Sequence, residues 1–218
     1  MLRTKKIAQE YRELFRNPEY RSSFFLGLAL FVIVLGIHMY AAGYATAHLG
    51  STASDIFLDQ FAAPAITAWI YLYGTLVFLV VAVASAITWP RSLPFTFKTA
   101  AAFTIIRAGF IILTHLGFPA GMATIPHPTA FESLFFRGGL FFSGHAALPA
   151  LLAFIYWDRK PLRYLFLVST VFFSAIVLLG HLHYSIDVFA GIFIAHSIYC
   201  LSEKAFSRDF RRMNGELK

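Results

Sequence analysis

Charge is scarce in this sequence and cysteine is nearly absent. Only 13% of its 218 residues are Asp, Glu, Lys or Arg, where a soluble domain averages about 25%. So few charges cannot coat a soluble globule, and the composition is that of a membrane protein. The single cysteine, Cys200, has no partner for an internal disulfide and reads as a small apolar filler in the last hydrophobic run. The chain carries no clear internal repeat and no low-complexity stretch. No cleavable signal peptide is expected either. The first apolar run begins near Phe24, behind a polar and basic segment, and continues for about 25 residues, a full span rather than a short signal core.

What the chain has in quantity is apolar surface: 58% hydrophobic residues, 25 phenylalanines and a mean hydropathy of +0.67. A helix crossing the hydrocarbon needs about 20 mostly apolar residues. Six stretches meet that demand, at 24–48, 62–88, 95–118, 139–157, 162–180 and 184–203. The fourth is the weakest, being interrupted by Ser143, His145 and Pro149. Turn and boundary signals such as "TWPRSLP" (88–94) and "WDRKPLR" (157–163) separate the runs. The expected fold is therefore an all-α membrane bundle of six transmembrane helices, compact and without room for a separate soluble domain.

The net charge of +7 does not point to nucleic acid, because the basic residues lie beside apolar spans. In a six-span topology every Lys and Arg falls on one side except Arg107, inside span three, and Arg137, on the opposite side. This asymmetry predicts that both termini are cytoplasmic. The chain then divides into a basic cytoplasmic arm (1–23), a six-span catalytic domain (24–203) and a basic cytoplasmic tail (204–218). Part of the arm, "KKIAQEYRELFRNPEYR", is either an amphipathic helix lying on the membrane or a solvated anchor.

Polar residues inside such a bundle are costly and stand out. Arg107 lies about twelve residues into its span, or roughly 18 Å at ~1.5 Å per residue. His145, in "FFSGHAALP", has a similar depth counted from Trp157. His183 and Asp187, in "GHLHYSID", enter from the opposite surface and share one helical face at a spacing of four. All four can meet in the outer half of the bilayer. His38, His48 and His196 read instead as histidines hydrogen-bonded within the bundle, and His115 and His127 as solvated near the outer boundary. Asp187 could simply neutralise Arg107. Ser143, Gly144, His145 and His183 supply more polar groups than that pair needs, and the backbone amides near Gly144 could cradle an anion.

Arginine grips phosphate oxygens through its planar fork. A histidine oriented by an aspartate can attack phosphorus, and a second histidine can protonate the leaving alkoxide. The set reads as phosphoryl transfer through a phosphohistidine, with neither metal nor cofactor expected, since the carboxylate cage magnesium needs is missing. Two readings from other classes compete: haem held between helices by histidines, and a proton-coupled transporter with Arg107, His183 and Asp187 as relay.

"SGH" (143–145) followed by "HYSID" (183–187) resembles the type 2 phosphatidic acid phosphatase superfamily. The resemblance implies that His145 is the acid, His183 the nucleophile and Asp187 its orienter. Within it, "RAGFIILTHLGFP" (107–119), "HLHYSID" and "SDIFLDQF" (54–61) are similar to the sphingomyelin synthase branch, over about residues 54–203. That adds Arg107, Thr114, Ser143, Gly144, His181 and Tyr184 as expected substrate-binding residues. Departures from the phosphatase branch point the same way: Val177 stands where an Arg is usual, and the Lys-x6-Arg-Pro signature is missing. Departing from the synthase branch, "GFP" (117–119) lacks a first proline. The expected enzyme is a multi-pass protein of a bacterial inner membrane or of an endomembrane or plasma membrane, and the charge asymmetry puts its site on the non-cytoplasmic side. It would move a phospho-head group from a glycerophospholipid to a lipid alcohol such as ceramide or diacylglycerol. The alternative is a lipid phosphatase or phospholipase C-like hydrolase with water as acceptor.

Overall fold

A computed structural model describes residues 2–123 and 140–217, and among them the chain is helical, with no strand. Inside hydrocarbon a helix satisfies every backbone N–H and C=O within the segment, which is why the apolar runs take that form. The long helices are α2 (Pro18–Ala47), α3 (Ile66–Ile87), α4 (Leu93–Leu113), α6 (Lys160–Leu179) and α7 (Ser185–Ala205). Five helical segments, with Pro90–Ser92 joined to α4, are long and apolar enough to cross a membrane. Short helices α1 (Leu2–Arg16), α5 (Gly144–Ile155) and α8 (Ser207–Met213) complete the described set. Start signals are chemically explicit. Asn17 caps α2 by accepting from the Glu19 amide at 2.9 Å, with Pro18 in the first turn.

The expected fourth span, 139–157, forms a helix only from Gly144 to Ile155. Its 12 residues rise about 18 Å, well short of a hydrocarbon core of about 30 Å. The reason is local. Ser143 is extended and caps α5, and the backbone before it bonds to other elements instead of continuing a helix. Phe142 O accepts from Arg107 and Ser143 N donates to Asp187 O at 3.0 Å. Non-helical backbone at depth is tolerated where protein supplies such partners. Residue 139, His127 and Arg137, which carried readings above, lie outside the described residues.

α2 packs along α4, α5 sits between α6 and α7, α3 leans on α6, and α4 meets α7. The core is built of phenylalanine. Phe95, Phe142, Phe166 and Phe173 are buried among Leu151, Ala147 and Ile198. Val80, Val83, Val168, Val171 and Phe193 face outward, as they should where the surrounding medium is lipid.

Basic segments gather at one end. Tyr11 of α1 donates to Ile87 O at 3.0 Å, and Glu10 pairs with Arg91 at 2.6 Å. Arg159 stacks over Trp89 with 3.9 Å to the ring centroid. The buried Asp209 of α8 accepts from Lys98 at 2.6 Å and from Ser23 at 2.7 Å, and Arg208 meets Glu19 at 2.6 Å. Arm and tail are thus helices docked on the same end of the bundle, beside the α3–α4 and α5–α6 connections.

Candidate active site

The polar constellation lies away from that end, where two helices begin. α5 starts at the Ser143 cap and α7 at Tyr184, and the Ser143 N to Asp187 O bond joins the two starts. Helix N-termini carry partial positive charge and unpaired amides, so their convergence favours an anion.

Asp187, in the first turn of α7, is fully buried. Its Oδ2 accepts from the Tyr184 amide at 3.0 Å and lies 3.4 Å from Nδ1 of buried His183. That second distance is long for a hydrogen bond but within ion-pair reach. The ring is therefore engaged through Nδ1, with Nε2 across from the carboxylate. His145, one residue into α5, is held through its own Nδ1 by the Tyr71 hydroxyl at 3.0 Å, with the rings 4.5 Å apart. His183 and Arg107 are both near enough to act on the charge of His145, and Asp187 on that of Arg107.

Arg107 projects from α4 to the α5 start. Its Nε donates to Phe142 O at 3.0 Å and its Nη1 to His38 Nε2 at 3.1 Å. A Cβ on Gly144 would stand 3.1 Å from Arg107 Nε and 3.4 Å from its Cζ, so glycine here lets the guanidinium come close to the start of α5.

The remaining expected residues sit at the rim. Thr114 is the extended residue that follows the end of α4, seven positions past Arg107, about 10 Å along the axis. Tyr184 donates its hydroxyl to Gly117 O at 2.9 Å and receives the Ala53 amide at 3.0 Å, so it ties two loops to the start of α7. His181, at φ 51°, bonds through Nδ1 to Ala120 O at 2.7 Å, and its buried Nε2 has no partner among the described residues. Asp55 accepts from the Ser185 amide at 2.6 Å. Burial opposes its charge, but that bond and those from the Phe57 and Leu58 amides hold its carboxyl below the ordinary range.

Three participants carried no usable signal in sequence. Tyr71 is one aromatic among many in its span, the Phe142 contribution is a main-chain oxygen, and His38 passed for a bundle histidine. Of the other histidines, His48 bonds to Tyr44 O at 2.8 Å and stacks near His115, and His196 packs on Phe154.

Residues 138–204 match a family model described as PAP2 superfamily C-terminal. The matched stretch contains Ser143, Gly144, His145, His181, His183, Tyr184 and Asp187, and leaves Arg107, Thr114, Tyr71 and His38 outside. The PAP2 match points to an enzyme of phosphatase or phosphotransferase type acting on membrane lipids, and the apolar helices to a multi-pass membrane protein. No curated protein and no solved structure matches the chain significantly.

Proposed function

We propose that the chain is an integral-membrane lipid phosphotransferase of the sphingomyelin synthase-like kind. It would move a phospho-head group from a glycerophospholipid to ceramide or diacylglycerol. The observation that carries the reading is the pair of histidines, each anchored through Nδ1, beside an arginine laid on the start of α5. Arg107 and the amides at the start of α5 hold the phosphate oxygens. His183 Nε2 attacks phosphorus, forming a P–N bond as the P–O bond to diacylglycerol breaks. The departing oxygen takes its electron pair and then a proton from protonated His145. Asp187 stabilises the positive charge that grows on the His183 ring. In the second half, neutral His145 removes the proton of the acceptor hydroxyl, whose oxygen attacks the phosphohistidine and releases His183.

Thr114, Ser143, His181 and Tyr184 line or shape the substrate side. The basic end of the bundle supports cytoplasmic arm (1–23) and tail (204–218) segments, with the catalytic domain (24–203) opening on the other side. A second reading, hydrolysis with water as acceptor, is favoured by the PAP2 match itself and differs only in the second half-reaction.

Purified protein in micelles given head-group-labelled phosphatidylcholine and phosphatidylethanolamine, with and without ceramide or diacylglycerol, separates the readings. Label moving to the acceptor lipid is expected. Label released as free phospho-head group, whatever the acceptor, establishes the hydrolase, and label staying in every donor overturns both.

A further inference from the structure

We infer that His38, on α2 and outside the matched segment, is a positioning residue that fixes the Arg107 guanidinium for the phosphate. The inference rests on the role proposed for Arg107. Arginine keeps its proton and accepts no hydrogen bond, so across the 3.1 Å contact Nη1 is the donor and His38 Nε2 must be the unprotonated ring nitrogen. The Phe142 carbonyl takes Nε at 3.0 Å. These two ties leave a planar group in different directions and set both its plane and its rotation, where one alone would let it swing.

His38 Nε2 and the Phe142 carbonyl are each neutral acceptors. A carboxylate at position 38 would also hold the arginine, but it would cancel the charge that a phosphate needs and compete with it. An imidazole and a carbonyl orient the guanidinium without themselves cancelling its charge. Helix packing supports the assignment. Ala41 and Ala45, on the same side of α2 as His38, form a buried cluster with Ala108 and Ile111 of α4. Small residues at such an interface let the backbones approach, which brings a side chain as short as His38 within reach of Arg107.

Glutamine and asparagine discriminate. Gln places its Oε1 near the position of histidine Nε2, while Asn reaches only that of Nδ1. In full-length protein with labelled phosphatidylcholine and ceramide, His38→Gln is expected to keep kcat/KM within about threefold. His38→Asn and His38→Phe should lose roughly ten- to a hundredfold, the scale of a hydrogen bond to a charged group. Their thermal midpoints in micelles should stay near that of His38→Gln. With Arg107→Lys as background, His38→Phe should add less than about threefold, because the group it orients is gone. Should His38→Phe not fold, the Gln and Asn pair still decides. Asn as active as Gln, Gln as impaired as Phe, or the full extra loss in the Arg107→Lys background each overturns the inference. Arg107→Lys inactive beside a fully active His38→Phe sinks the role of His38 alone. Arg107→Lys at wild-type turnover, or wild type inert toward the lipids, removes the functional reading and this role together.

Discussion

Replacing Asp187 by asparagine keeps the outline of the side chain and removes its charge. The carboxylate has two jobs in the structure, accepting from the Tyr184 amide at 3.0 Å and facing His183 Nδ1 at 3.4 Å. The asparagine oxygen can keep the first, so folding stability should change by about 1 kcal/mol or less. In the proposed mechanism the second is where the rate is decided. As His183 Nε2 bonds to phosphorus, its ring becomes cationic, and a unit charge at that separation interacts by about 5 kcal/mol at an effective dielectric of about 20. Because roughly 1.4 kcal/mol is a factor of ten in rate, the carboxylate supplies at most about 10³–10⁴-fold. The amide dipole retains part of this, and Asp187→Asn should lose roughly 10²–10³ in kcat with KM little changed. Initial rates of head-group transfer, beside thermal unfolding of the same preparation, make the measurement. A folded Asp187→Asn protein working within about tenfold of wild type would refute the reasoning.

The two histidines should fail differently toward a donor with a good leaving group such as p-nitrophenolate. His145→Ala should still trap a phospho-enzyme because that departure needs no proton, and His183→Ala should trap none. The reverse pattern would exchange their roles. In a Cys200→Ser background, a cysteine placed at Ala120 or Met122 should react with an impermeant thiol reagent added from the non-cytoplasmic side. Labelling from the cytoplasm alone would invert the topology.

Much of this protein is legible along the chain because a membrane makes hydropathy a strong rule. Few charges and long apolar runs permit little but helices, and the ends of α3, α6 and α7 fall within four residues of the runs read from composition, those of α2 and α4 within six. The stretch around Ser143, Gly144 and His145 could be picked out as polar, but not as the beginning of a twelve-residue helix. Hydropathy averages over a window and cannot see the bonds that Phe142 O and Ser143 N make elsewhere. The His183–Asp187 pair was likewise visible, since a spacing of four on one helix is a local property.

The sequence by itself therefore determined the membrane class, most of the helices and the polar residue types of the candidate site. Only the tertiary structure decided who holds whom. Tyr71 meets His145 across 74 positions and His38 meets Arg107 across 69, and Tyr184 ties two loops to the start of α7. Such pairings depend on which faces of α2, α3, α4 and α5 turn toward one another. In lipid that is set by packing between helices, the small residues of α2 against α4 among them, and single-helix periodicity carries no record of it.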